Sequence, residues 1–258
     1  MNNRLLLATA VALCLCTACK SLQLESQWRD HDITIDGVTT DWDGLMYYPE
    51  GSKIGIGVVN DSMYLYLCLT SEDRTIASQI LMSGFTVLFG NKAQKEKRFG
   101  IHFPLGTKPS GPPSEENGYR GEHDMAAMSA RMQASLQTLA LIGPGKNDTL
   151  PMPIMVAESL GVVVRIKPSR EHCVYELKVP LNPDSVCKYA VGAGNDSLLA
   201  VTLEICKISR PSGGPPGGGG RGGPPGGGGG MGGPPGGGGP PSMPEPFKMN
   251  FSILLAKK

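Results

Sequence analysis

Apolar and polar positions alternate with a period of two along much of this chain, most clearly at 53–60 (KIGIGVVN) and 62–70 (SMYLYLCLT). A period of two puts successive side chains on opposite faces of a strand, and Asn60-Asp61 supplies turn residues between the runs. The pair therefore predicts a β-hairpin. In its second strand Met63, Leu65, Leu67 and Leu69 face one way, and Tyr64, Tyr66 and Cys68 face the other. Both faces are substantially apolar, which predicts a strand central to a sandwich.

Other runs follow the same reading. Residues 33–35 (ITI) predict a short strand, closed by a turn at Asp36-Gly37 and followed by Asp41-Trp42-Asp43-Gly44. Residues 71–83 predict a short helix with Ser71 as N-cap, ended by Gly84. Residues 85–89 (FTVLF) and 99–104 (FGIHFP) predict paired strands. Residues 122–142 predict a helix, because Met125, Met128, Met132, Leu136 and Leu139 recur at a spacing of three to four. That stripe suits core packing or an adaptable contact surface. Strands are predicted at 152–158, 161–167 and 173–179, the last two joined as a hairpin through Pro168-Ser169-Arg170. The stretch 198–208 predicts a long strand with Val201, Leu203 and Ile205 on one face.

Residues 211–241 repeat GGPPGGGG three times, broken by Arg221 and Met231. Such a tract has no side chains to bury and predicts disorder. An apolar strand pattern resumes after it, so the tract is an insertion between strands. The fold class is then mainly β: an antiparallel, jelly-roll-like β-sandwich with a helical insertion and a disordered Gly/Pro-rich insertion. The organisation expected is a signal peptide at 1–18, a polar tether at 19–32 and the sandwich at 33–210, with its helical insertion at 106–150. The disordered insertion then takes 211–245, and the last strand lies in 246–258.

The N-terminus changes the setting. Arg4 precedes an apolar run too short to span a membrane, and Cys16-Thr17-Ala18-Cys19 follows it. Small residues directly before Cys19 resemble the bacterial lipobox, with Cys16 where an aliphatic residue is usual. The resemblance implies a lipidated Cys19 and, with Lys20 beside it, an outer-membrane lipoprotein. Seven cysteines then reduce to Cys68, Cys173, Cys187 and Cys206, as buried thiols or one disulfide. A net charge of +1 argues against a nucleic-acid partner.

No complete catalytic constellation is legible. His31, His102, His123 and His172 form no metal-binding spacing, and no nucleophile elbow occurs. Asp36, Asp41 and Asp43 cluster around Trp42. They suit turn capping or, as hard oxygen ligands, calcium; no other cofactor is indicated. Trp42 reads as a plug in the core or as one wall of a ligand site.

The order of three motifs resembles the family 9 carbohydrate-binding module and its DOMON-like relatives. They are Ile35-Asp36-Gly37 with Asp41-Trp42, then Asn60-Asp61 with Leu65-Tyr66-Leu67 and Glu72-Asp73, then Tyr175-Glu176-Leu177-Lys178-Val179-Pro180. The resemblance implies a β-sandwich that recognises sugars without catalysis, by ring stacking near Trp42, Tyr47 and Tyr48. Two alternatives stand beside it. One is a structural or assembly lipoprotein acting through protein contacts. The other is a haem- or redox-binding domain, with Met63 and His102 as the conceivable ligands.

Overall fold

The computed structural model describes residues 22–91, 98–107, 122–143, 148–169, 172–184, 188–193, 197–205 and 247–258. The signal peptide, Cys19, Cys187, Cys206 and the Gly/Pro tract lie outside them, as do the side chains of Met125 and Met128. The described strands are β1 (Leu22–Glu25), β2 (Gln27–Trp28), β3 (Met46–Tyr47), β4 (Gly55–Asn60), β5 (Tyr64–Ser71), β6 (Phe85–Asn91), β7 (Arg98–His102), β8 (Thr138–Ile142), β9 (Thr149–Pro153), β10 (Val163–Pro168), β11 (Cys173–Pro180), β12 (Leu198–Ile205) and β13 (Lys248–Leu254). They form two sheets, in the orders β1-β13-β12-β6-β7-β8-β9 and β10-β11-β5-β4-β2, with β3 pairing on β4. The mainly β sandwich expected from alternation is present.

Alternation places the core. Leu65, Leu67 and Leu69 of β5 join Leu177 and Val179 of β11 against Val87, Phe89, Ile101, Val201, Leu203 and Ile253 of the other sheet. Each such side chain, fully buried, contributes about 1.5–3 kcal/mol. The opposite face of β5 is also covered: Tyr66 and Cys68 pack with Val59, Val174, Ile33 and Trp42 in a second, smaller cluster. The two-sided apolar pattern of β5 thus has two separate causes.

The β4–β5, β6–β7 and β10–β11 hairpins form as predicted, and β13 enters the sheet between β1 and β12. Several local expectations are corrected. Residues 22–28 are not a tether: β1 pairs parallel with β13, and β2 pairs parallel with β4. The sandwich is therefore not wholly antiparallel. The chain changes sheets at Ser26, where the Ala256 N–H donates to Ser26 Oγ at 2.8 Å and to Asn60 Oδ1 at 2.9 Å.

Residues 33–35 form no strand, since Ile33 packs over the sheet rather than along its edge. Ser71 ends β5, and the helix it was expected to cap spans Arg74–Ser83 with Asp73 as N-cap. The helix expected at 122–142 stops at Ser135; Leu139 and Leu141 instead point into the core from β8, between β7 and β9. A short apolar run satisfies both periods, and the neighbouring strands decide. Likewise 152–158 divides into the end of β9, where Pro153 pairs with Thr138, and a helix at Ile154–Ser159 with Pro153 as its N-cap.

Candidate functional site

On the outer face of the second sheet, Gly57, Cys68, Glu176 and Arg165 stand in one cross-strand row. Trp42, in a one-turn 3-10 helix at Thr40–Trp42, lies over it. The row is shaped for an indole. A Cβ on Gly57 would come within 2.7 Å of Trp42 Cε3 and 2.8 Å of Met46 Sδ. Trp42 is 0% exposed, and its Nε1 donates to Glu176 Oε1 at 2.6 Å. Glu176 Oε2 accepts from the Asp36 N–H at 2.8 Å and from the Gly37 N–H. Gly37 has φ +78, and a Cβ there would lie 2.7 Å from Lys167 Cβ, so only glycine fits the turn.

Glu176 is fully buried, and burial pushes its carboxyl above the ordinary value while the Gly37, Trp42 and Asp36 donors pull it back. Burial also raises the Cys68 thiol, helped by the neighbouring Glu176 charge, and pushes Cys173 up to about 11. Both are free, buried thiols and poor nucleophiles.

The aspartates around Trp42 serve the loop. Asp41 Oδ2 accepts from the Thr34 N–H and Asp36 Oδ1 from the Val38 N–H, both at 2.9 Å. His31 Nε2 donates to the Asp41 carbonyl oxygen at 2.9 Å. Among the described residues no group of three His, Cys, Asp or Glu side chains is placed to hold a metal. Of the three expected calcium ligands, Asp36 and Asp41 thus each have one carboxylate oxygen on a backbone amide.

Beside the buried Trp is a groove of about 740 Å³. Thr39 and Asp43 come to it from the loop, Tyr48, Ser52 and Lys53 from the segment before β4, Thr70, Glu72 and Asp73 from the end of β5, and His172 from the β10–β11 hairpin. Tyr48 is 67% exposed and lies over Gly55, where a Cβ would sit 2.4 Å from its Cε1. Trp42 borders this groove but offers no ring face, so it shapes the wall and cannot stack on a ligand. Tyr47, at 48% exposure, lines a different cavity with Leu22, Ile76 and Phe247. Adjacent residues of an extended chain point to opposite sides, so the expected trio of Trp42, Tyr47 and Tyr48 is not brought into one cleft.

Sequence reasoning missed the polar half of the groove. Lys53 Nζ contacts Asp73 Oδ2, while Asp73 Oδ1 accepts from the Thr75 N–H at 2.7 Å and the Ile76 N–H at 3.4 Å. The Lys53 hydrogen bond, joined by the helix amides, lowers Asp73 to about 2. A lowered folded value means that its contribution to stability is present above the ordinary 3.8 and lost as pH falls toward 2. Urea midpoints at about pH 5 and about pH 2.5 test this. The gap between wild type and Asp73→Asn is expected to narrow at the lower pH; a gap of constant size would contradict the assignment.

The conceivable haem ligands do not share a site. His102 is on β7, where its Nδ1 and Thr86 Oγ1 are 2.8 Å apart. Thr86 adjoins Phe85, whose ring packs 5.0 Å from Tyr175, and Tyr175 is level with Leu69. Met63 precedes Leu69 by six residues on the facing sheet, roughly 20 Å along the strand.

No family model matches the chain, and no curated protein matches it. Among solved structures, it is similar to a family 9 carbohydrate-binding module from Caldicellulosiruptor kristjanssonii in complex with cellotriose. The TM-score is 0.35 at 8% identity, over 71% of this chain and 75% of that one. The same organism's module in complex with glucose gives 0.34 at 8% identity, over 71% and 77%. The likeness is too low to carry an argument about ligand or role. A DOMON-like relation and a membrane anchor rest on the sequence alone.

Proposed function

We propose that this chain is a non-catalytic outer-membrane lipoprotein whose sandwich binds a carbohydrate in the groove beside Tyr48. One observation carries the reading: an exposed tyrosine ring lies along a groove whose rim is made of hydroxyls and carboxylates. A sugar has an apolar C–H face and a hydroxyl edge, and such a groove matches both. Tyr48 would stack on the face, while Asp43, Glu72, Ser52 and Thr70 would bond the hydroxyls. Lys53 and Asp73 neutralise each other at the rim. The anchor is the sequence's own suggestion, through Cys19.

Glucose and cellotriose, held by the structurally similar modules, are the first probes, followed by a glycan array. Tyr48→Ala is expected to weaken binding at least about tenfold, or about 1.4 kcal/mol. The urea midpoint should stay unchanged, because the side chain is exposed. An array without binding, or unaltered affinity in the variant, would remove the reading.

One feature favours the assembly alternative. Leu150 on β9 and Met155 and Val156 on the helix that follows it are exposed. A pull-down partner lost on replacing Met155 and Val156 with serine would support that role.

A further inference from the structure

We infer that the end of the sandwich carrying Leu22, Tyr47 and Phe247 rests on the lipid bilayer that holds Cys19. The inference rests on the lipoprotein reading and adds to it an orientation and a contact surface. Its first support is chain length. Leu22 follows Cys19 by three residues, so their Cα atoms are at most about 11 Å apart whatever path the chain takes. A cysteine bearing acyl chains keeps its backbone at the level of the lipid headgroups. The end of the domain that holds Leu22 is therefore confined to the membrane surface.

Strand topology says which end this is. β1 begins at Leu22, level with Phe251, and the chain runs on to Trp28 beside Asn60, next to the β4–β5 turn. Tyr47 pairs with Ile56, and Ile56 with Leu69, so Tyr47 is at the opposite end of β5 from Met63. Ile205 and Phe247 also meet at this end: the Ile205 N–H donates to the Phe247 carbonyl at 3.0 Å, and Phe247 lines one cavity with Leu22.

The surface at this end has the chemistry of a membrane interface. A cavity of about 800 Å³ is lined by Leu22, Tyr47, Pro49, Phe247 and Met249 and by the buried Ile76, with Gln23 and Glu50 among its polar residues. Lys53 and Lys248 stand exposed at its rim. An aromatic ring with a polar edge suits the headgroup layer, and lysine stems can cover apolar surface while their ammonium groups stay wet. Both lysines already pair, with Asp73 and Glu204, so attraction to anionic lipid is the smaller contribution. A tether this short makes the contact intramolecular, so a modest apolar area suffices to hold it. The Tyr48 groove shares Ser52 and Lys53 with this cavity and opens just above the bilayer.

The test uses the full-length protein in vesicles of phosphatidylethanolamine and phosphatidylglycerol with brominated acyl chains. Tyr47→Trp and Met63→Trp place reporters at the two ends, with the parent protein as background for Trp28 and Trp42. The emission added by Tyr47→Trp is expected to fall at least twofold on brominated vesicles, and that of Met63→Trp to stay unchanged. Equal emission from both reporters, or quenching at Met63→Trp alone, overturns the orientation. Mass spectrometry showing an unmodified Cys19 instead removes the anchor, and the orientation falls with it.

Discussion

Trp42→Ala is expected to destabilise the domain by about 4 kcal/mol, read as a lower urea midpoint with an unchanged slope. The side chain is wholly enclosed, and its removal leaves a cavity over Gly57 that the sheet cannot close, because both strands beneath it are fixed by pairing on each side. Trp42→Phe separates bulk from bonding. It keeps most of the apolar volume and loses the N–H, leaving Glu176 Oε1 without that donor, at about 1–3 kcal/mol. A loss below about 1 kcal/mol for Trp42→Ala would mean that the loop is held by something else.

Glu176→Ala is the second large effect, at about 3–5 kcal/mol. It strands three inward-pointing donors at once: the Trp42 indole and the amides of Asp36 and Gly37. Glutamine is not a rescue. Whichever way its amide turns, an NH2 group meets either the indole N–H or the two backbone N–H groups. Glu176→Gln should therefore lose at least half as much as Glu176→Ala.

Trp42→Phe and Glu176→Ala together should cost less than the sum of the two, since both break one hydrogen bond. Strict additivity in that cycle would show the bond to be incidental. The pH sense is opposite to that of Asp73. Burial holds the folded value of Glu176 above its ordinary 4.5, so ionising the buried carboxyl lowers stability as pH rises from 4.5 through the folded value, while the three donors to its oxygens limit that loss. Comparing Asp73→Asn with wild type at each pH cancels this common background.

The stretch 33–44 was legible as a landmark but not in its function. Its two turn-forming aspartates and its glycine at Gly37 announce a tight loop. Its tryptophan has two readings, and burial selects the plug. Glu176 carries a signal too: a lone carboxylate in CVYELKV, flanked by Tyr175 and Leu177 in a largely apolar strand, needs donors. Those donors come from 134 and more residues away, so local pattern could not name them. The same holds for the groove, where Tyr48, Glu72 and His172 meet only because β11 pairs with β5 and β5 with β4.

The errors of local reading are of one kind. At 122–142 the apolar spacing suits both helix and strand, and for 138–142 the choice fell to neighbouring strands with free hydrogen-bonding edges; at 152–158 the strand stops at Pro153 and a helix follows. At 22–28 short polar-apolar alternation reads as a tether, yet parallel partners in β13, 229 residues later in the chain, and in β4 make it strand. By itself the sequence determined the β class, the hairpins and the inward faces, because a period of two is a property of each strand alone. The tertiary structure decided which faces were covered a second time, which carboxylates were spent on backbone amides and which tyrosine stood open. Those outcomes depend on pairing between distant segments, where burial and hydrogen-bond satisfaction are settled jointly.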